Sequence, residues 1–406
     1  MAKFLLGYIV AHILLISIIE ASICVNLKMI QLCLLILVLV IGIFNAKKII
    51  IQRVDILIVF LLGFLNIYYF FIETRGLIFF KMTYALFLAI MISKVILPNI
   101  SIKSYMRKFN FIYFVVLIFL IIEYLLVAFF GDKLLTDLFM CNGERTGVRG
   151  YIQLLNWTKD LGILPYHITG LNSIMMGSQT ASQLSVIIFI WFLHKNKIDS
   201  RQLYRVLSYI AIVMLILSPS ITSVLLFLIS ILIIYLLQFR TRMQKKIKNF
   251  YRIYVFFIVA FLLIFALIQI LTFRYGSLNS IIQEYVLRNL DGFIYFDLQE
   301  ILFGISLLRE EQLFEVGEIA FLKHFLTYGF IGTSLFYCSV LYYMLRAYIQ
   351  NRENLELRFH LIILSIFILG NIHYPVMFGS GVLELFILHL AYVIYAGSNI
   401  MNHKLK

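Results

Sequence analysis

The chain has 406 residues, of which 63% are hydrophobic and 13% charged, with a mean hydropathy of +0.99. That is more apolar surface than one soluble core can cover, and it excludes a soluble globular protein as well as disordered and collagen-like chains. A formal charge of +14 would point to nucleic acid in a soluble protein. In a chain this apolar it is a topology signal first, because cytoplasmic loops accumulate Lys and Arg, and no nucleic-acid partner is expected.

Met1-Ala2-Lys3 and the apolar run Phe4 to Ile19 have the n-region and h-region of a signal peptide but no small-x-small cleavage site, so an uncleaved first span is expected. A hydrocarbon core of about 30 Å needs about 20 apolar helical residues. With that ruler the chain holds twelve candidate spans: 4–19, 29–44, 54–72, 77–97, 111–130, 174–193, 206–219, 221–239, 253–271, 328–345, 359–372 and 381–397. Residues 206–239 divide at Ser218-Pro219-Ser220, where the proline removes a helix donor. The expected fold is an all-α polytopic integral membrane protein, a single domain over 1–406 with about twelve transmembrane helices.

With the N-terminus inside, 22 of the 34 basic residues fall on one side, among them Arg53, Lys108, Arg201, Lys246 and Arg352. An even number of spans returns the C-terminus to that side, so both termini are expected to be cytoplasmic. The opposite side carries two large outer loops, 131–173 and 272–327, which hold 12 of the 20 acidic residues. They are too long for turns and too apolar for disorder, so they are expected to fold back on the membrane surface and to contain short interfacial helices. Ser280–Arg288 and Glu315–Tyr328 have the apolar spacing of such helices.

Charged residues within spans are expensive and usually face a bundle interior. Asp55, Lys81 and Lys94 lie near segment ends, where a long side chain can snorkel, and are expected to orient their helices. Glu123 and Glu384 lie deeper and are candidates for titration or for bracing a cavity. His373, in Asn371-Ile-His-Tyr-Pro375, falls at an outer helix end within reach of a phosphate or sugar. Cys24, Cys33, Cys141 and Cys338 show neither CxxC nor His-associated spacing, so no metal site is expected; a Cys24–Cys141 disulfide is the less favoured alternative to free thiols. The sequence contains no P-loop, GxGxxG, GxSxG or HExxH motif.

Several stretches, in order along the chain, resemble the O-antigen polymerase (Wzy-type) family of membrane glycosyltransferases, which is related to the O-antigen ligases. They are Gly170-Leu-Asn-Ser-Ile-Met-Met-Gly-Ser-Gln-Thr-Ala-Ser-Gln-Leu184 after the first large loop, Leu217-Ser-Pro-Ser-Ile-Thr-Ser223, Ile301-Leu-Phe-Gly-Ile305, and Gly317 to Gly332 leading into a span. The resemblance implies a metal-independent, cofactor-free transferase in a bacterial inner membrane, working at its periplasmic face. Its substrate would be an oligosaccharide repeat unit on undecaprenyl diphosphate; membrane lipids and a chain-length regulator would be its other partners. Arg145, Arg149, Arg274 and Arg288 are candidate diphosphate ligands, because guanidinium groups match phosphate geometry, with His373 as a further substrate contact. Glu318 and His324 are the candidate catalytic pair, as base or hydroxyl-orienting groups. An O-antigen ligase, or a lipid-linked oligosaccharide flippase or other transporter, fits the same architecture.

Overall fold

The computed structural model describes residues 52–73, 76–130, 147–151, 169–172, 177–218, 221–240, 296–304, 320–371 and 382–398, with single positions at 7, 36, 40, 44 and 283. The expected spans 4–19, 29–44 and 253–271 lie outside this set apart from isolated positions, as do Cys24, Cys33, Cys141 and nearly all of the Ser280–Arg288 segment.

In chain order the helices are α1 (Arg53–Glu73), α2 (Gly76–Met91), α3 (Ile102–Phe130), α4 (Gly177–Asp199), α5 (Gln202–Leu217), α6 (Ile221–Arg240), α7 (Leu298–Phe303), α8 (Ala320–Gln350), α9 (Leu355–Gly370) and α10 (Val382–Ala396). Among the described residues three stretches are long and apolar enough to cross a membrane: Lys81–Asn99, Ile102–Leu126 and Tyr328–Gln350. Gln202–Leu217 and Val382–Ala396 are shorter apolar helices. The protein is thus largely helical, and three helices of membrane-crossing length are what the described residues provide towards the twelve expected.

Two-sided patterning explains α3. Tyr105, Phe109, Ile112, Tyr113, Val116, Leu117 and Leu120 are buried, while Phe111, Phe114, Ile118, Ile122, Leu125 and Phe129 are exposed on the other face. Both stripes recur every three or four residues, so this helix is apolar all round. In water the outer stripe would be an uncovered hydrophobic strip; against acyl chains it is matched to its solvent. α1 repeats the pattern with Ile56, Leu57, Phe60, Phe64 and Ile67 exposed. α10 is buried at every residue from Val382 to Ala396 and forms the axis of the bundle.

Polar contacts bring alternate helix ends together. Asn351 Nδ2 after α8 donates to Ala396 O at the end of α10, at 2.5 Å. Lys195 near the end of α4 pairs with Glu356 at the start of α9, at 3.0 Å. Arg346 near the end of α8 donates to Gln52 just before α1, and Tyr105 near the start of α3 donates to Leu388 O at 2.7 Å. This end of the bundle therefore collects Arg53, Lys103, Lys195, Arg346, Arg352 and Arg358 from separate segments.

One expectation is corrected. Asp55 and Lys94 do not snorkel: they are 1% and 2% exposed and form a buried ion pair of 3.1 Å. Tyr343 donates to the same carboxylate at 2.8 Å, and the Gln52 amide donates to it at 3.0 Å. Lys94 sits in a π-helical turn, Ile92–Ile96, that continues α2; such a turn shifts the face a side chain takes, and here the side chain meets α1. Most of the loop 131–173, expected to contain a short helix, lies outside the described residues. Its described part is an antiparallel ribbon of β1 (Gly147–Tyr151) and β2 (Thr169–Asn172), with Gly147 opposite Asn172 and a shift in register between Val148 and Tyr151. Among the described residues this ribbon is the one strand pairing in an otherwise helical fold.

The second large loop does contain a short helix. α7 begins in a capping box, in which Asp297 Oδ1 accepts from Glu300 N at 2.7 Å and Glu300 Oε2 accepts from Asp297 N at 3.1 Å. It ends at Gly304, φ 96°. Gly329 interrupts α8 with φ 70° and ψ 161°. A Cβ at Gly329 would lie 2.4 Å from Leu302 O, 2.5 Å from Phe303 C and 2.7 Å from Gly304 N. Only glycine meets both demands, a left-handed φ and contact with another backbone. The span expected from residue 328 begins at this break, and α7 rests on it.

Candidate functional site

Two buried polar centres occupy the bundle. The first joins α3, α9 and α10 through a chain of side chains. Tyr113 Oη lies 2.5 Å from His389 Nε2, His389 Nδ1 lies 2.7 Å from His360 Nδ1, and His360 Nε2 lies 3.5 Å from Met106 Sδ. Thioether sulfur only accepts, so His360 carries its proton on Nε2 and accepts at Nδ1. His389 then donates from Nδ1 and accepts the Tyr113 hydroxyl at Nε2. Every group in the chain is satisfied with both imidazoles neutral. A tetrahedral metal held at about 2.1 Å by two nitrogens would set them roughly 3.4 Å apart, so the 2.7 Å contact is a hydrogen bond.

Aromatic rings wall this chain. Phe109 packs on His389 with ring centres 4.4 Å apart, and Trp191 meets His360 edge-on at 5.6 Å. Trp191 Nε1 donates to Asn110 Oδ1 at 2.7 Å, and the Lys195 ammonium lies 5.1 Å from the centre of the Trp191 ring. His194 stacks on Phe359 with centres 3.7 Å apart, and its two ring nitrogens have no hydrogen-bond partner among the described residues. Tyr113, His360 and His389 are wholly enclosed and all their hydrogens are committed. The Tyr113–His389–His360 chain locks three helices together and itself has no free group to offer a ligand.

The second centre lies at the opposite end of the bundle, on α4. Residues from Ala181 to Phe192 are buried, so α4 enters the interior one turn after its start. Gln183 Nε2 donates to Ile366 O on α9 at 3.0 Å and presses on Gly370, where any Cβ would overlap the Gln183 amide at 1.9 Å. Beside Gly370, Asn371 donates to Tyr337 Oη on α8 at 2.7 Å. Glu384 enters at the same height on α10, two residues before Phe386, which packs against Phe336 and Phe367.

Two polar atoms of α4 are buried here without a hydrogen-bond partner among the described residues: Gln179 Oε1 and Ser182 Oγ. Ser182 differs from its neighbours in this. Ser185, Ser218, Ser230 and Ser339 each donate back to the carbonyl four residues earlier, at 2.5–2.8 Å. A buried polar group left unsatisfied costs about 1–3 kcal/mol, so each such atom calls for a partner, whether water or a ligand.

Both large loops reach this end. β2 packs against α4 and the far end of α5, while α7 rests on α8 at Gly329. Of the residues expected to act, Arg145, Arg274, Arg288, Glu318 and His373 lie outside the described residues. Arg149 lies in β1, and His324 lies in the short helical stretch between Ala320 and Gly329; for these two only the backbone position is described. Glu123 and Glu384 are buried, at 2% and 6% exposure.

Sequence reasoning overlooked His360, His389 and Ser182. The signal for the histidines was present: both fall within apolar spans, where any ionisable residue is a candidate for a buried partner. Ser182 carried no such signal, because a serine in an apolar helix usually bonds to its own backbone.

Comparison with family models, curated proteins and solved structures finds no match to this chain. The class defined by the fold and the two centres is a helical protein with helices of membrane-crossing length, one satisfied polar core and one polar end with uncommitted atoms.

Proposed function

We propose that this protein is an O-antigen polymerase of the Wzy type, joining undecaprenyl-diphosphate-linked repeat units at the periplasmic face of a bacterial inner membrane. In this reading the chain crosses about twelve times with both termini cytoplasmic, and the basic end of the bundle faces the cytoplasm. One observation carries it: the bundle end away from the basic residues is where both long loops dock and where α4 leaves buried polar atoms uncommitted. A hydroxyl-rich head group on a lipid tail fits such a place, with the tail alongside the apolar outer stripes.

The reaction transfers the growing glycan from its lipid diphosphate to a hydroxyl of the incoming unit. The bond from the anomeric carbon to the diphosphate oxygen breaks, the acceptor oxygen bonds to that carbon, and the hydroxyl proton passes to a base. Glu318 or His324 takes the proton or orients the hydroxyl, and losing a general base typically lowers the rate about 10²–10⁴-fold. Arg145, Arg149, Arg274 and Arg288 neutralise the departing diphosphate, with His373 as a further substrate contact. No metal or cofactor is needed for these steps.

Deletion of the gene tests the reading. Single repeat units on the lipid A core are expected; complete loss of attached glycan indicates a ligase instead, and blocked export a flippase. Complementation by the Glu318→Gln/His324→Ala double variant should then fail to restore long glycan at normal protein level. Full-length glycan from that variant removes this pair from the mechanism.

A further inference from the structure

We infer that Gln179 and Ser182, braced by Gln183, form a subsite for the hydroxyl edge of a neutral sugar in the lipid-linked glycan; the inference rests on the polymerase reading for the identity of that lipid. Gln179 and Ser182 are three residues apart on α4 and so lie on neighbouring sides of one turn. Gln179 is half-buried at the mouth of the bundle and Ser182 is fully buried one turn below it.

The chemistry of the free atoms selects the ligand. Gln179 Oε1 accepts only, and Ser182 Oγ both donates and accepts. A phosphate offers only acceptors, and the free Gln179 oxygen has no hydrogen to give it. A hard cation needs about six oxygens, and two neutral ones do not hold it. Adjacent sugar hydroxyls each donate and accept, so they complement this pair. Gln183 cannot turn away to compensate, because its amide is bonded to Ile366 O at 3.0 Å and fills the space that a side chain at position 370 would need. It is a positioning residue, and the face it supports stays polar when no ligand is bound.

Binding by the full-length protein in lipid nanodiscs tests this without turnover. The two probes are undecaprenyl diphosphate and the undecaprenyl-diphosphate-linked repeat unit extracted from the deletion strain. Wild type is expected to bind the glycan-bearing lipid more tightly. Ser182→Ala and Gln179→Met should each reduce that preference about three- to tenfold, the effect of one neutral hydrogen bond, while binding of the bare lipid diphosphate is unchanged. Unfolding midpoints of the variants at or above that of wild type show that the fold is intact.

Equal binding of both probes by wild type overturns the subsite. So does an unchanged preference in both variants, which would mean that the two atoms hold water only. A deletion strain that keeps its long glycan overturns the polymerase reading separately, and the binding comparison still decides the subsite.

Discussion

The histidine chain and the Gln179–Ser182 face are both polar, both buried and both set among apolar helices, yet they are built on opposite plans. Along the chain from Tyr113 through His389 and His360 to Met106, each donor meets one acceptor. On α4 the serine hydroxyl departs from the back-bonding of its neighbours and is left without a partner. A satisfied buried network joins helices and resists change, whereas an unsatisfied one lowers stability in the free protein and gains when a ligand arrives. The difference therefore separates residues that hold the bundle from residues that serve it.

The contrast can be broken most severely at the Asp55–Lys94 pair, the ionic counterpart of the histidine chain. Asp55→Ala leaves a buried ammonium and should destabilise the protein by about 3–5 kcal/mol, while Asp55→Leu with Lys94→Met should recover most of that loss. Denaturant unfolding in detergent micelles measures both. A single variant within about 1 kcal/mol of wild type would place water around the pair instead.

Gly329→Ala comes next. The added methyl meets the α7 backbone and forces an alanine into a positive-φ extended conformation that essentially only glycine adopts; the backbone strain alone costs about 1–3 kcal/mol, and displacement of α7 adds to it. Limited proteolysis near residues 296–304 should quicken, and unchanged cleavage would mean that α7 does not depend on this contact.

Tyr113→Phe probes the satisfied network itself. It leaves His389 Nε2 without a donor and should cost about 1–3 kcal/mol with no change in glycan-lipid binding. A variant as stable as wild type would show that the imidazole finds another donor.

The smallest effect sharpens the comparison by its sign. Ser182→Ala removes an uncommitted hydroxyl from an apolar setting and should leave stability unchanged or raise it by up to about 1 kcal/mol. Marked destabilisation would show that Ser182 belongs to the structural class and not to a binding face.

What the sequence made legible follows from the range of the forces involved. The break between α5 and α6 lies at the expected Ser218–Ser220 stretch, where helix ends are set by local backbone chemistry. The start of the last long span near residue 328 was also readable, but the need for glycine at 329 was not: Leu302 to Gly304 approach it from a separate segment. The fate of Asp55 and Lys94 was misjudged for the same reason. Distance from a segment end says that a charge can reach water, and only packing of α1 on α2 and α8 reveals a nearer partner. The ribbon of β1 and β2 pairs strands across intervening residues, and the loop's Asn142-Gly143, which precedes β1, is not a turn between them.

Gly329 has a consequence for how such a chain can change over generations. At Gly329 the joint between α7 and α8 is main chain against main chain, so at this point it depends on the absence of a side chain at position 329. Side-chain substitutions around α7 that spare position 329 leave this backbone joint in place, so under the proposed polymerase function the segment that carries α7 can change in composition while it stays tethered.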